Sequence, residues 1–280
     1  MSVYLVPADQ TSTRVCGCGC THRKPRYPSD MSDAEWQVLE PEARAVMAEL
    51  RQGHGGRAMR HDVRTVMDAV RYVVKYGIEW RALPADFPPW EAVYAFFVRW
   101  SARGMPQRFV DRLRGRLRVS QGRAELPTAA CIDSQSIKAA DTVGAATRGF
   151  DGAKKINGRK RHIAVDVNGW LVAVLITAAS VQDRDGGHRL LALVRERFST
   201  ITLVWADGGY AGRLVTWAAA VLRLTVTIVK RSDDTKGFVV VPRRWVVERT
   251  FAWLSRHRRL VRDDGRLPEH QEAMVLWASV

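Results

Sequence analysis

Apolar residues recur along this chain with two different periods, and the change from one to the other divides it. From residue 32 to about 119 the period is that of an amphipathic helix. Ser32-Asp33-Ala34-Glu35 reads as a capping box, in which the Ser and Glu side chains satisfy each other's exposed amides. Trp36, Leu39, Ala43, Val46, Met47 and Leu50 follow at helical spacing, and Gly53, Gly55 and Gly56 predict the stop. Val63, Val66, Met67, Val70, Val73 and Val74 mark a second helix that Gly77 ends, and Leu83-Pro84 to Pro88-Pro89 reads as a loop. Trp90, Val93, Phe97 and Trp100 predict a third helix, and a fourth runs from Pro106 to about Val119. Short helices joined by turns are the ingredients of a helix-turn-helix DNA reader, and equally of a plain helical bundle.

From Leu126 the texture changes to short apolar, β-branched runs. Ala129 to Ile137 predicts a strand. His162 to Val167 and Leu171 to Ala178 are two more, joined by Asn168-Gly169, a strong hairpin signal. Arg184 to Phe198 reads as a helix, Ile201 to Trp205 as a strand, Gly212 to Leu222 as a helix and Leu224 to Val229 as a strand. Pro242 to Leu260 reads as a helix with Pro at its start. This order predicts an α/β fold, a mixed sheet flanked by helices, preceded by an all-α part. The expected organisation is a tail over 1–31, a helical domain over 32–125 that could serve as a DNA-binding one, and an α/β domain over 126–280. Residues 1–31 follow neither period and are expected to be disordered, with Met31 as an alternative start. Within them Cys16, Cys18, Cys20 and His22 stand closer together than zinc ligands usually do, so metal is not expected there.

Composition adds partners to this picture. The 280 residues are 46% hydrophobic, enough for a packed core, so wholesale disorder is excluded. No apolar run approaches the roughly 20 residues of a membrane helix, and no leader-like run opens the chain, so a cytoplasmic protein is expected. Lys and Arg number 44 against 29 Asp and Glu, a net charge of +15, and 36 of the cations are Arg. The planar guanidinium binds phosphate through two parallel hydrogen bonds, so the excess points to nucleic acid, with Arg-rich composition as the alternative. The bases crowd into 148–162 and 243–262.

Three acids stand out against that background. Asp133 follows Ala-Cys-Ile and Asp207 follows Leu-Val-Trp-Ala, so each is expected at the carboxyl end of a strand, where α/β folds keep their sites. Glu248 is the single acid among seven Arg between Arg243 and Arg262, and shares a helix face with Arg244. Its alternative is an ordinary ion pair. A carboxylate on an apolar strand end is costly unless it is paired, hydrated or bound to a cation. Three that converge suit hard divalent ions, Mg²⁺ or Mn²⁺, and two such ions serve phosphodiester transfer. No Walker loop or dinucleotide glycine fingerprint points to other nucleotide chemistry. Asp183 and Asp185 read as helix caps, Asp166 as a paired surface residue, Cys131 as small core, and His162 and His188 as structural.

Several longer pieces are informative together: Ile132-Asp133-Ser134-Gln135-Ser136, Ala206-Asp207-Gly208-Gly209-Tyr210, and Arg243-Arg244-Trp245-Val246-Val247-Glu248-Arg249-Thr250-Phe251-Ala252-Trp253-Leu254. Lys154 to His162, Ala179 to Asp185, the surroundings of Trp36, and Gly77-Ile78-Glu79-Trp80-Arg81 with Leu83-Pro84 add to them. In order and spacing these resemble the DDE transposases of bacterial insertion sequences, in particular the IS5 family within the IS4 superfamily, over roughly residues 31–278.

The resemblance implies an RNase H-like catalytic domain with Asp133, Asp207 and Glu248 as its triad, 74 and 41 residues apart. It implies two Mg²⁺ (or Mn²⁺) ions, bridged by Asp133 and Asp207, with Glu248 on the second. It implies cleavage of double-stranded DNA at the terminal inverted repeats of an element and attack of the freed 3′-OH on target DNA, by at least a homodimer on DNA. Arg244 would hold a phosphate, and Lys154, Lys155, Arg159, Lys160 and Arg161 would form a basic loop along the DNA backbone. The family's Tyr, Arg, Glu, Lys pattern meets Arg244 and Glu248 here, but its Tyr position falls on Val241 and its Lys position on Ser255, with Arg256 adjacent. Two alternatives stay open. One is an RNase H-like nuclease without strand transfer. The other is an inactive DNA-binding remnant, since the apolar pattern of the last helix runs up to Trp277-Ala278-Ser279-Val280.

Overall fold

The computed structural model describes residue 23 and residues 25–51, 61–229 and 244–280, the side chains of Leu50 and Arg51 excepted. The expectations for Cys16, Cys18, Cys20 and His22, for the glycines at 53, 55 and 56, and for Val241, Pro242 and Arg243 lie outside the described residues. Helices α1 (Asp33–Arg51), α2 (Val63–Tyr76), α3 (Trp90–Ala102) and α4 (Met105–Ser120) come first. Strands β1 (Ala129–Lys138), β2 (Gly149–Asp151), β3 (Ile156–Asp166) and β4 (Leu171–Ala178) follow. Then come α5 (Asp183–Arg197), β5 (Leu203–Ala206), α6 (Arg213–Leu222), β6 (Thr225–Ile228), α7 (Trp245–Leu254) and α8 (Pro268–Trp277).

The helix boundaries have local causes. The capping box opens α1: Ser32 N donates to Glu35 Oε2 at 2.7 Å, and Glu35 N to Ser32 Oγ at 3.2 Å. Asp62 caps α2 by accepting from Thr65 N at 2.9 Å. Gly77 closes that helix in the left-handed region (φ 68°), its N–H on Val73 O. A side chain there would also be crowded, since a Cβ would meet Arg258 Cβ at 2.9 Å.

The sheet runs β2-β3-β1-β5-β6, with β4 also paired to β3. β1 is antiparallel to β3, β3 to β4, and β1-β5-β6 are parallel. The hairpin strands followed by parallel strands form the mixed, RNase H-like sheet that was expected. Its two faces are covered differently. Ala130, Ile132, Ala164, Ala173, Val204 and Ala206 pack under α5 and α6, through Leu190, Leu191, Val194, Leu214 and Ala218. Cys131, Ile163, Val165, Val174 and Trp205 face the other way, into a core shared with α7, α8 and the N-terminal helices. Helices α1–α4 therefore bury their apolar stripes in the same core as the sheet. Trp277 is fully buried, 5.8 Å from Trp100 between ring centroids, so the end of α8 is covered core and not exposed apolar surface. The edge strand β4 is also closed, its Ile176 N donating to Glu272 Oε1 on α8 at 2.9 Å.

Several expectations need correction. Residues 25–31 are not a loose tail: Met31 is buried with its N–H on Asp68 Oδ1, and the Arg23 guanidinium lies 3.8 Å over the Phe87 ring. β3 begins six residues before His162, and most of the supposed basic loop belongs to it. The polar run Asn157 to His162 hides the strand from any apolar period. The helix expected over 242–260 ends at Leu254, and Arg258–Leu260 is a separate helical turn. Asp166 is paired, as expected, but it is buried in the interior and not at the surface. Its carboxylate accepts from Arg118 Nη1 of α4 at 2.6 Å and from Asn168 N and Trp170 N of the hairpin turn.

That buried ion pair ties the helical part to the sheet, and removing one partner leaves an uncompensated interior charge. We expect Arg118→Ala to destabilise the chain by about 3–5 kcal/mol in denaturant unfolding. A loss under about 1 kcal/mol would show that the pair is not such a lock.

Candidate active site

The strand register brings the first two acids together. β1 and β5 pair in parallel with Ala129 opposite Leu203 and Cys131 opposite Trp205. Continued by two residues, that register sets Asp133 beside Asp207. Cys131 and Trp205 both face the α7 side of the sheet, and the two-residue period of a strand sends Asp133 and Asp207 the same way. Asp133 is not at a strand end, as expected from the sequence, but mid-strand in β1. What ends beside it is the parallel neighbour β5, and that opens the crevice.

Glu248 arrives from above. Val246, Val247, Thr250, Phe251 and Leu254 bury one side of α7 on this face of the sheet, which leaves Glu248 half-exposed on the other. Arg244 sits at the start of the helix and points into the crevice. Its Nη2 lies 3.4 Å from Asp133 Oδ2, 3.6 Å from Asp207 Oδ2 and 3.8 Å from Glu248 Oε1. One guanidinium nitrogen thus gathers all three carboxylates. Among the described residues no group of three or more His, Cys, Asp and Glu side chains stands in an arrangement that could hold a metal ion. The oxygens are spread around a cation larger than a metal ion. They nonetheless meet the chemical demand of a hard divalent ion, an all-oxygen anionic set drawn to one positive charge.

The local electrostatics differ between the acids. Burial pushes the Asp133 carboxyl up to about 6, and the charge of Asp207 adds to it. The Ser134 N–H, the Arg244 guanidinium and Lys154 work against that rise. Asp207 holds an extended backbone and accepts from Gly209 N at 2.8 Å, which fixes the turn Gly208–Tyr210.

The basic residues predicted from sequence divide in two. Lys154 and Lys155 are exposed in the turn before β3, and Arg256 is exposed just past α7. Arg159, Lys160 and Arg161 are buried, and the expectation that they line DNA is corrected. Arg159 is fully enclosed and binds Asp263 Oδ2 at 3.1 Å with the carbonyls of Gly265 and Arg266. Arg161 donates to Leu260 O, and burial lowers its pKa to about 10. Lys160 bonds Asp183 Oδ1 at 2.9 Å and Val181 O at 2.9 Å. These side chains fasten the sheet to the segments around it.

Sequence reasoning missed one cluster beside the site. Ser134, one residue after Asp133, faces the opposite side of β1 and donates from Oγ to Asp183 Oδ1 at 2.6 Å. Burial works to raise the Asp183 carboxyl, but the bonds from Ser134 and Lys160 outweigh it and hold it below the usual range. Asp183 occupies the first turn of α5 without capping it, since the cap position is Gln182. The alternation of Asp133 and Ser134 along one strand was the available signal. Cys131 is buried core, and His162 is structural, its Nε2 bonded to Thr177 Oγ1 at 3.0 Å.

A mixed sheet carrying two adjacent aspartates under a glutamate-bearing helix defines a class of phosphodiester-processing domains, and comparison with known proteins agrees. Residues 125–279 match a family described as "Transposase DDE domain", and residues 31–110 match one described as "Putative transposase of IS4/5 family". The chain belongs to the transposase DDE domain family. A curated relative, "Putative transposase for insertion sequence element IS402" of Burkholderia cepacia, is 33% identical over 121 residues, which are 40% of this chain. The chain spans 57% of that relative's length. Among solved structures, a piggyBac transposase synaptic complex with hairpin DNA aligns over 89% of this chain and 71% of its own at 11% identity and a TM-score of 0.42. A Drosophila P element transposase strand transfer complex aligns over 70% and 48% at 14% identity and a TM-score of 0.32.

The raised Asp133 makes a stability test. Its folded pKa of about 6 lies above the ordinary 3.8, so folding disfavours the charged form. The associated stability is present below about pH 4 and is lost as pH rises through about 6. Asp133→Asn should therefore be more stable than the parent by on the order of 2 kcal/mol at pH 7, with the gain gone near pH 4. A difference that stays constant between those pH values in chemical denaturation would contradict the assignment.

Proposed function

We propose that the protein is a transposase that cuts double-stranded DNA at the ends of an insertion sequence and joins the freed ends to target DNA. The observation that carries this reading is the meeting of Asp133, Asp207 and Glu248, from two strands and a helix, on the single guanidinium of Arg244 in a DDE-family domain. Asp133, Asp207 and Glu248 are the residues that would hold divalent ions, and the all-oxygen donor set suits Mg²⁺ or Mn²⁺. Bound there, such ions would neutralise phosphate charge and supply a nucleophile at neutral pH.

The chain's own residues have complementary tasks. Asp133 and Asp207 present their carboxylates from neighbouring, parallel-paired segments to one guanidinium nitrogen. Arg244 then has a double role. Without DNA its guanidinium screens three mutually repelling carboxylates. With DNA present, a phosphate can take over one of its donor pairs, because the planar fork suits phosphate as well as carboxylate. Lys154 and Lys155 beside the site and Arg256 beyond α7 would contact backbone phosphates at exposed positions. Two element ends must be cut and joined together, so the working unit would be at least a homodimer on DNA. Among the described residues no helix is long and apolar enough to cross a membrane.

The test is a cleavage and joining assay on DNA carrying the element's terminal repeats, with Mg²⁺ or Mn²⁺. Asp133→Ala and Glu248→Gln should lower both steps by roughly two to four orders of magnitude, the several kcal/mol that a metal site contributes to such a step. Undiminished cleavage in either variant would remove these residues from the chemistry. Cleavage without joined product in the parent chain would make it a nuclease, and neither product would make it an inactive DNA-binding remnant.

A further inference from the structure

The face of β1 that turns away from the crevice carries a second polar set. Ser134 and Ser136 look toward α5, and Lys160 stands opposite Ser136 on β3. Lys160 is buried, and its Nζ lies 2.9 Å from Asp183 Oδ1 and 3.8 Å from Asp151 Oδ2. Ser136 Oγ donates to Asp151 Oδ2 at 2.5 Å, and Ser134 Oγ to Asp183 Oδ1 at 2.6 Å. Asp183 reaches this row because α5 lies close against its neighbours. A Cβ on Gly186 would overlap the His162 ring, and one on Gly187 would meet Tyr210 Cδ1 at 2.9 Å. Side chains at those two positions would lift the helix, and its first turn with it.

Two observations make Asp183 more than a countercharge for Lys160. Ser134 is held at both ends, its Oγ on Asp183 and its N–H on Asp133 Oδ1 at 2.7 Å. Asp183 also borders the turn of the other aspartate. A Cβ on Gly209 would lie 3.6 Å from Asp183 Oδ2 and 3.0 Å from Asp207 Oδ1, and the Gly209 N–H is the donor that holds Asp207. One carboxylate thus stands behind both backbone N–H groups that orient the crevice aspartates. Carboxylates that ligate metal ions are themselves oriented by hydrogen bonds of this outer kind. We propose that Asp183 is a positioning residue for Asp133 and Asp207. Through Ser134 it fixes the orientation of the Asp133 carboxylate, and against Gly209 it fixes the turn that holds Asp207. Lys160 offsets the charge that this places behind the sheet. The inference rests on the reading of Asp133 and Asp207 as metal ligands.

The experiment titrates the full chain, without DNA, with Mn²⁺ and follows the paramagnetic resonance signal of the free ion. The parent chain should bind Mn²⁺, and Asp133→Ala should lose most of that binding. Ser134→Ala is the decisive variant, because it leaves the Lys160–Asp183 pair in place. It should weaken Mn²⁺ binding roughly 10- to 100-fold, the usual cost of losing an outer partner of a metal ligand. Asp183→Ala should cost at least as much. Asp183→Asn should recover most of the loss, since an amide oxygen accepts from Ser134 and Lys160 as the carboxylate does. Joining Ser134→Ala to Asp183→Ala should weaken binding no further than Asp183→Ala alone, because both break the same connection. Metal-free Ser134→Ala should unfold within a few degrees of the parent, as the loss of one hydrogen bond allows. Asp183→Ala also strands the Lys160 cation, so if it does not fold, Ser134→Ala and Asp183→Asn decide.

Parent-like Mn²⁺ affinity in Ser134→Ala, with Asp133→Ala impaired, would reduce Asp183 to a countercharge for Lys160. That result would overturn the proposal and leave the functional reading standing. Losses that multiply in the double variant would do the same, since the two residues would then act separately. No Mn²⁺ binding by the parent, or binding that survives Asp133→Ala and Glu248→Gln, would overturn the reading of the site and the proposal with it.

Discussion

β1 is paired on both sides, antiparallel to β3 and parallel to β5, and its two-residue period governs what each face of the sheet can hold. Ala130, Ile132, Ser134 and Ser136 look toward α5. Cys131 and Asp133 look toward α7. A slip of one residue would exchange the faces, burying Asp133 under α5 and sending Ile132 into the crevice. The antiparallel pairing with β3 runs over nine residues, from Ala130 opposite Asp166 to Lys138 opposite Gly158, so the register is strongly held. The short parallel pairing with β5 then stops in time for Asp133 and Asp207 to share open space.

The positive charge is divided by the fold into three kinds. Some arginines are internal fasteners: Arg118 on Asp166, Arg159 on Asp263, and Arg161 on the Leu260 carbonyl. Each satisfies a buried acid or carbonyl, and none is free to meet a phosphate. Among the described arginines Arg244 belongs to the crevice, where it offsets the repulsion between three acids. Others, among them Arg256, Arg258 and Arg262, stay in solvent. A net charge of +15 therefore overstates the surface available to nucleic acid in the 148–162 segment and describes the surface beyond α7 better.

The expectations from sequence succeeded where one local signal dominated. The capping box at Ser32, the apolar stripe of α2, the stop at Gly77 and the Asn168-Gly169 hairpin turn each depend on near neighbours, and each is present in the fold. They failed where long-range pairing overrides composition. Asn157 to Arg161 is polar and reads as a loop, yet β1 and β4 claim its backbone on both sides, and partners distant in sequence neutralise its cations. Asp166 was paired as expected, but its partner Arg118 lies 48 residues away on α4, and the pairing draws it into the interior. Trp245, Arg249 and Trp253 have the spacing of any helix face, and only the packing of α7 on the sheet decides which side stays exposed.

By itself the amino-acid sequence determined the helices, most of the strands, the order of the three acids and their kinship with the DDE family. Those are properties of local pattern and of residue order. The tertiary structure alone decided that Asp133 and Asp207 stand side by side, that one nitrogen of Arg244 collects both with Glu248, and that Arg159, Lys160 and Arg161 are interior ties. The physical reason is that a side chain's facing and burial are set by strand register and helix docking. Those bring Arg244 to Asp207 and to Asp133, 37 and 111 positions away in the sequence, a distance over which local propensity carries no information.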